Sequence, residues 1–271
     1  MIVRLQGGLG NQMFQYVFGR SVSRALGESV SFEKRGDMDA PNSRMAYSLD
    51  AFETTVNFTS QTAVKNYEEP IFAYDPKVYD QPQGTRFVGY WQTEKYFETV
   101  LVHEELSLRA PVSAQSERVA EDITATANSA AIHVRRTDYL HPMNSWMGVM
   151  PLSYYGQAMA YIRERCPDVK FFLFSDDPEW CRQNFPDCRI VDHNKAGTEG
   201  KGPGQEHEDL LLMSLCRHAI IANSSFGWWG AWLGDFSGKI VVAPNQWFNG
   251  TLGGRWTPET SDIIPARWVK I

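Results

Sequence analysis

The sequence predicts an α/β protein built on parallel sheets, and three observations carry that prediction. Short apolar runs recur through the second half, at residues 130–134, 169–174, 189–191, 219–222 and 239–243. Stretches with helical spacing lie between them, near 153–166, 178–184, 208–217 and 226–233. The first half opens the same way, with a strand at 2–5, a glycine turn at 7–10 and a helix at 11–26. Short apolar strands that alternate with helices give β-α-β units, whose strands run parallel.

Each element has a local reason. In the first helix Phe14, Val17, Phe18, Val22 and Leu26 fall on one face, and Gly27 ends it. In the helix near 208–217, Leu211, Leu212, Leu215 and Cys216 repeat at helical spacing. Phe87-Val88-Gly89-Tyr90-Trp91 reads as a strand, whereas residues 36–79 are polar, contain prolines and show neither period. A chain of 271 residues accommodates two such domains meeting at a cleft, with the boundary near 110–125. The division expected is a first α/β domain at 1–120, a second at 121–250 and a C-terminal tail at 251–271; one long domain is the alternative.

Bulk properties exclude several classes. The net charge of -6 argues against a nucleic-acid binder, although it leaves room for a local basic pocket. The four cysteines show no C-x-x-C spacing, so free thiols in a reducing compartment are expected instead of a disulfide scaffold or structural zinc. No stretch reaches the roughly 18 apolar residues of a membrane span, and the first residues carry no signal-peptide core. The sequons at Asn57, Asn223 and Asn249 are therefore read as chance matches. Aromatic residues make up 13% of the chain, which suggests sugar handling or a ring-rich core.

Four segments carry chemistry. Gly7-Gly8-Leu9-Gly10-Asn11-Gln12 joins a strand to a helix. It can bring backbone N–H groups to an anion or sugar, or serve as a plain tight turn. Met13 breaks the dinucleotide fingerprint. His133-Val134-Arg135-Arg136-Thr137-Asp138 falls where a parallel strand ends, the place where ligands bind in this fold class. His133 and Arg135 point to one side of the extended chain and Arg136 to the other. A guanidinium holds phosphate oxygens with two parallel bonds, and Asp138 can orient it. Asp176-Asp177 closes the next strand; it offers a metal site, contacts to a base or ribose, or a helix cap at Asp177 ahead of Pro178. Asn223-Ser224-Ser225-Phe226-Gly227 closes a third strand and opens a helix, where hydroxyls and free N–H groups favour an anion.

Taken together, residues 7–15, 133–138, 175–180, 209–213 and 223–233 resemble the bacterial α-1,2-fucosyltransferases of glycosyltransferase family 11. The 133–138 segment is also similar to the motif of α-1,6- and protein O-fucosyltransferases. The resemblance implies a GT-B-like enzyme of two Rossmann-like domains facing a cleft, with the acceptor on the first and the donor on the second. It implies GDP-fucose as donor, no metal or other cofactor, and inverting transfer to the 2-hydroxyl of a terminal β-galactoside. Carried over by position, Arg135 is the arginine on the β-phosphate, with His133, Arg136 and Asp138 beside it. Ser224, Ser225 and Phe226 form the diphosphate turn, and Asp176 lies near the guanosine. Gly10 and Asn11 belong to the glycine loop that faces donor and acceptor. Tyr139 and Met143 stand where the α-1,6 enzymes have a lysine and the glutamate base, so that base does not carry over. Asp138, His141, Asp37 and Glu94 are the unranked candidates in its place, and a late proton transfer without a dedicated base is the alternative. The expected location is the cytoplasm; a lipid-linked surface glycan as acceptor would place the chain at the inner membrane face, whereas a free oligosaccharide would not. A metal-dependent transferase using Asp176-Asp177 and a non-catalytic carbohydrate-binding protein are the alternatives.

Overall fold

The structure, a computed structural model, describes residues 1–39, 45–109, 112–194, 204–234, 236–250 and 259–271, with the backbone alone at Asp37. The described residues form two compact units. One comprises 1–109 with 204 and 259–265, the other 112–194, 205–234, 236–250 and 266–271. Each has a Rossmann-like arrangement of a parallel sheet with helices.

In the first unit, β1 (Ile2–Leu5) leads through α1 (Leu9–Leu26) to β2 (Ser31–Lys34); β3 (Lys65–Glu68), β4 (Thr85–Val88) and α2 (Thr99–Glu105) follow. The sheet order is β2-β1-β4-β3, with every pairing parallel. Helix α1 begins two residues before the expected start, because the N–H groups of Asn11 and Gln12 already bond the Gly8 carbonyl. Gly10 therefore sits in the first helical turn and not in the loop. The helix ends at Gly27, whose φ of 66° is left-handed; this lets the Gly27 and Glu28 N–H groups reach carbonyls of the last turn. Phe18 of α1 stacks on Trp91 at 4.2 Å between ring centroids, and Phe87 and Tyr96 pack edge-on to the pair.

Strand β4 is shorter than expected. It stops at Val88 because the carboxylate of Glu69 captures the N–H groups of Tyr90 and Trp91, at 2.6 and 3.0 Å. Trp91 is fully buried with φ 56°, a left-handed conformation that a bulky residue keeps only when its surroundings enforce it. Strand β3 was not expected; its KNYE sequence faces solvent along most of its length and so carries no apolar period.

The second unit contains α3 (Ala114–Ala125), β5 (Ser129–Val134), α4 (Leu152–Arg165), β6 (Lys170–Ser175), α5 (Pro178–Asn184) and β7 (Arg189–Val191). The chain continues through α6 (Glu206–Leu215), β8 (His218–Ile220), α7 (Ser225–Trp232), β9 (Val241–Ala243) and β10 (Val269–Lys270). Its sheet order is β10-β9-β8-β5-β6-β7, all parallel. Residues 251–271, expected as a tail, thus end in a strand: Val269 and Lys270 pair with Val242 and Ala243. From β5 the chain builds outward through β6 and β7, then returns to lay β8 on the other side of β5. That reversal is the topological switch point of a doubly wound sheet.

The rings are largely core. Trp91, Trp228 and Trp229 are fully buried, and Trp228 also meets Trp232 and Trp268. At about 25 cal/mol per Å², burial of one such ring contributes roughly 4–6 kcal/mol before entropy is counted. Aromatic content therefore records packing here and does not by itself mark a sugar site.

Helix α7 lies so close to β5 that a Cβ built on Gly227 would stand 2.5 Å from Nδ1 and 2.8 Å from Cγ of the buried His133. Gly227→Ala gains about 1 kcal/mol of helix propensity and loses about 1–3 kcal/mol to overpacking. The expected net result is a lower urea midpoint. A raised midpoint would mean that the imidazole moves aside freely.

Candidate active site

Three strand ends meet at the switch point: Arg135-Arg136 after β5, Asp176-Asp177 after β6, and Asn223-Ser224 after β8. Asp176 organises the first two. Its carboxylate accepts the N–H groups of Arg136 at 2.9 Å and Thr137 at 3.2 Å, together with the Thr137 hydroxyl. It also faces Arg135, with Nη1 to Oδ2 at 3.4 Å. Asp138 completes the clamp, pairing with Nη2 of Arg135 at 2.8 Å. Burial disfavours the guanidinium charge, but Asp176 and Asp138 more than offset it, so Arg135 is held firmly protonated.

Arg136 turns the other way. Its Nε bonds Asp177 at 3.1 Å, and its guanidinium lies 3.7 Å from the centre of the Trp180 ring. Asp177 in turn caps α5 by accepting the Trp180 N–H at 3.2 Å, with Pro178 in the first helical position. The cap reading of Asp177 is therefore the one observed. Both neighbouring carboxylates face donors from the protein, which is poor preparation for binding a metal ion. Among the described residues no group of three or more His, Cys, Asp or Glu side chains is arranged to hold one.

His133 does not add charge to this cluster. It is buried beneath Gly227 with Phe226 at 5.6 Å, and burial, aided by the nearby Arg135, lowers its pKa to about 4. Of the three basic residues of this segment, Arg135 is the cation presented at the strand end, Arg136 faces Asp177 and Trp180, and His133 is a neutral imidazole. Desolvation is the reason, because a second buried positive charge would be costly there.

The end of β8 is fixed by Asn223. Its amide nitrogen is buried and faces the carbonyls of Met147, Gly148 and Trp247, at 2.5, 3.0 and 2.8 Å. A side chain so enclosed is no glycosylation acceptor. The Tyr139 hydroxyl donates to the Asn223 carbonyl at 3.1 Å, while its ring lies 5.6 Å from the Arg135 guanidinium. Tyr139 thereby ties the β5 exit to the β8 exit. Ser224 takes the cap position of α7 without a side-chain capping bond, and Ser225 and Phe226 begin the helix. Helix geometry leaves the first N–H groups of α7 without intrahelical acceptors, so this strand end can receive an anion.

In the first unit, Gly7 turns with φ 78°, and a Cβ there would collide with the Asn11 side chain folded over it. Asn11 accepts from Gln92 Nε2 at 2.7 Å. Gln12 is not available to a ligand: it is buried, donates to the Gly7 and Ala46 carbonyls and accepts the Ser48 N–H. Gln15 joins two strand ends, accepting from Gln6 N–H and donating to the Gly89 carbonyl, each at 2.9 Å.

The base candidates fall in different places. Asp138 is paired with Arg135. His141 is exposed, its Nδ1 accepting the Met143 N–H at 3.3 Å. Glu94 begins a short 3-10 helix at Glu94–Tyr96 in the first unit. The Asp37 side chain lies outside the described residues. Two carboxyl groups that the sequence did not single out as acids are perturbed toward neutrality: burial raises Glu69 and Asp209 each to about 7. Asp209 lies in the first turns of α6 and accepts from Asn194 at 2.8 Å, just beyond the end of β7. Carboxyls with such values gather at functional sites.

Asp209 makes stability depend on pH. Its folded pKa lies above the unfolded one, near 4, so the native state binds the proton more tightly and stability falls as pH rises from about 4 through 7. Asp209→Asn removes that loss. Relative to the wild type, the variant is expected to gain on the order of 1–3 kcal/mol in urea unfolding between pH 5 and pH 8. A difference that stays constant over that range would contradict the assignment.

Comparison with known proteins agrees with this architecture. The chain is 30% identical over 296 residues to an α-1,2-colitosyltransferase of Escherichia coli, covering 100% of this chain and 98% of that protein. It is 29% identical to the O-antigen biosynthesis glycosyltransferase WbnK of Escherichia coli, over 94% of this chain and 97% of that one. It is 25% identical to a galactoside 2-α-L-fucosyltransferase, SEC1, of Bos taurus, over 90% and 66% of the two chains. Among solved structures it resembles the fucosyltransferase NodZ from Bradyrhizobium, with a TM-score of 0.52 and 17% identity, over 84% of this chain and 91% of that one. That likeness supports a GT-B-like fold. The sequence model of Glycosyl transferase family 11 matches residues 1–270, and the chain, a glycosyltransferase, belongs to that family.

Proposed function

We propose that the chain is an inverting α-1,2-fucosyltransferase that moves fucose from GDP-fucose to the 2-hydroxyl of a terminal β-galactoside. The observation that carries the reading is Arg135, fixed between Asp138 and Asp176 at the switch point of the second unit, across from the start of α7. In this reading that arginine holds the diphosphate of the donor, and the family match supports it only as far as glycosyl transfer. The bond from the fucose anomeric carbon to the β-phosphate oxygen breaks while the acceptor oxygen bonds the opposite face, and the hydroxyl proton leaves late, to the departing diphosphate or to solvent. The leaving GDP gains negative charge as the sugar becomes oxocarbenium-like. A guanidinium fixed in advance interacts more strongly with that charge than with the ground state, which is what lowers the barrier.

In this reading Arg135 acts on the β-phosphate and the start of α7, with Ser224, Ser225 and Phe226, on the diphosphate. Asp176, Asp138 and Tyr139 position Arg135, and Arg136 shapes the neighbouring strand end. The buried His133 packs beneath the diphosphate turn. Asn11, held by Gln92, serves the sugar side. No metal is required, and the acceptor is a glycan assembled in the cytoplasm or at the inner membrane face. Among the described residues no helix is long and apolar enough to cross a membrane.

A second reading keeps the site and changes the sugar. The full-length similarity to an α-1,2-colitosyltransferase favours a colitosyl donor as the rival. Mass spectrometry of products from each donor with a panel of β-galactosides decides between them. Fucosylated product with no gain from added divalent cation, and full activity in excess EDTA, is expected. Product from the colitosyl donor alone would overturn the choice of sugar, and loss of activity in EDTA that returns with metal would overturn metal independence. Arg135→Ala is expected to lower kcat by about 100-fold or more, the scale for losing one preorganised electrostatic donor. Arg135→Lys is expected to recover little, because a point charge lacks the two-pronged geometry. Near-normal turnover in folded Arg135→Ala would remove Arg135 from the mechanism.

A further inference from the structure

Beyond β2, at the edge of the first unit's sheet, lies a cavity of about 620 Å³ walled by residues that the arginine site does not use. Its walls include Glu33 and Lys34 from the end of β2, Arg86 from β4, Asp39, Phe58 and Gln61. The 57–59 segment is fixed along β2: Phe32 N–H donates to the Asn57 carbonyl at 2.8 Å, and Thr59 N–H to the Phe32 carbonyl at 2.9 Å. On this fixed backbone the Phe58 ring is 47% exposed. It is steadied by Lys34, with Nζ 4.7 Å from the ring centre, and by Tyr47 packed edge-on at 5.2 Å.

The charges of the cavity are matched in advance. Arg86 Nε meets Glu33 at 2.6 Å, and Lys34 Nζ meets Asp39 at 3.1 Å. The lining carries two cations and two anions, and Arg4 also pairs with Glu33 at 3.4 Å, so a phosphate or carboxylate ligand would have to compete with carboxylates already engaged. A single ring is too little apolar surface for a lipid chain. What the cavity offers is a flat apolar face bordered by charged and neutral hydrogen-bonding groups, in a volume typical of small-molecule sites. A pyranose matches that pattern, with its C–H face on the ring and its hydroxyls toward Glu33, Lys34, Asp39, Ser60 and Gln61.

We propose that this cavity is a subsite for a neutral sugar unit of the acceptor glycan, with Phe58 as the stacking platform. The proposal rests on the reading of the chain as a galactoside-directed transferase, and it adds where the first unit grips the glycan. Calorimetry on the full chain with β-galactosyl tri- and tetrasaccharides, without nucleotide sugar, tests it. Phe58→Ala is expected to weaken binding about fivefold or more, the scale for losing an aromatic anchor. Ser60→Trp, at an exposed position that a large ring would block, is expected to do the same. GDP affinity and thermal midpoint are expected to stay at wild-type values. If Phe58→Ala does not fold, Ser60→Trp decides alone. Unchanged oligosaccharide affinity in the folded variants, or no oligosaccharide binding by the wild-type chain, overturns the subsite. Oligosaccharide binding that Ser60→Trp weakens, in a chain that transfers no fucose, upholds the subsite and fails only the choice of donor.

Discussion

The carboxylate of Asp176 is the constraint on which the second unit's site depends. It stands at the end of β6 and accepts two backbone N–H groups and a hydroxyl from the residues leaving β5. Its desolvation is offset by those donors and by the facing Arg135 guanidinium. Because the path of residues 136–137 is set by this one group, the two arginines must diverge. Arg135 goes to Asp138 and the open strand end, and Arg136 to Asp177 and the face of Trp180. The divergence that strand alternation predicts is thus enforced by hydrogen bonds after the strand has ended.

The first unit repeats the device with different residues. Glu69, just past β3, captures the Tyr90 and Trp91 N–H groups leaving β4. The left-handed Trp91 is held by that capture on one side and by its stack on Phe18 on the other. Gln92 follows directly and reaches Asn11 over the glycine turn. In each unit an acidic residue after one strand shapes the exit of the neighbouring strand. The strain of a bulky left-handed residue, about 1–3 kcal/mol, is sustained by local bonding in the first unit, whereas the second unit shows no such outlier at its arginines.

The helices and central strands were legible because their apolar spacing is strong. The periods place α1, α4, α5, α6 and α7 within two residues of their observed ends. Strand β3 was not legible, since it is polar along its length, and β10 is too short, at two residues, to show a period. Within the site, the strand-end positions of Arg135, Asp176 and Ser224 could be read from sequence. The neutrality of His133 could not, because it follows from Gly227 packing on the ring, a contact between residues far apart in the chain. For the same reason the partners of Gln12 and Asn223 were out of reach. A buried amide in a loop motif looks identical to a ligand-facing one until the carbonyls around it are known. Glu69 lies in a stretch with no period at all, so nothing in the sequence distinguishes it from its solvated neighbours.

The charge pattern around Arg135 bears on how such a site would act on a diphosphate. Two carboxylates beside one guanidinium reduce the field that a resting anion meets, so the cluster is not tuned for tight ground-state binding. They also hold the guanidinium in place, so little reorganisation remains when charge develops on a departing phosphate oxygen. A free arginine would bind a diphosphate more strongly at rest, but binding shared equally by ground and transition states leaves the chemical step unchanged. A second buried cation at His133 would push the balance the same way, and burial keeps that imidazole neutral. If a diphosphate donor binds here, the arrangement would give up affinity for it at rest in exchange for a guanidinium already in place where charge would grow.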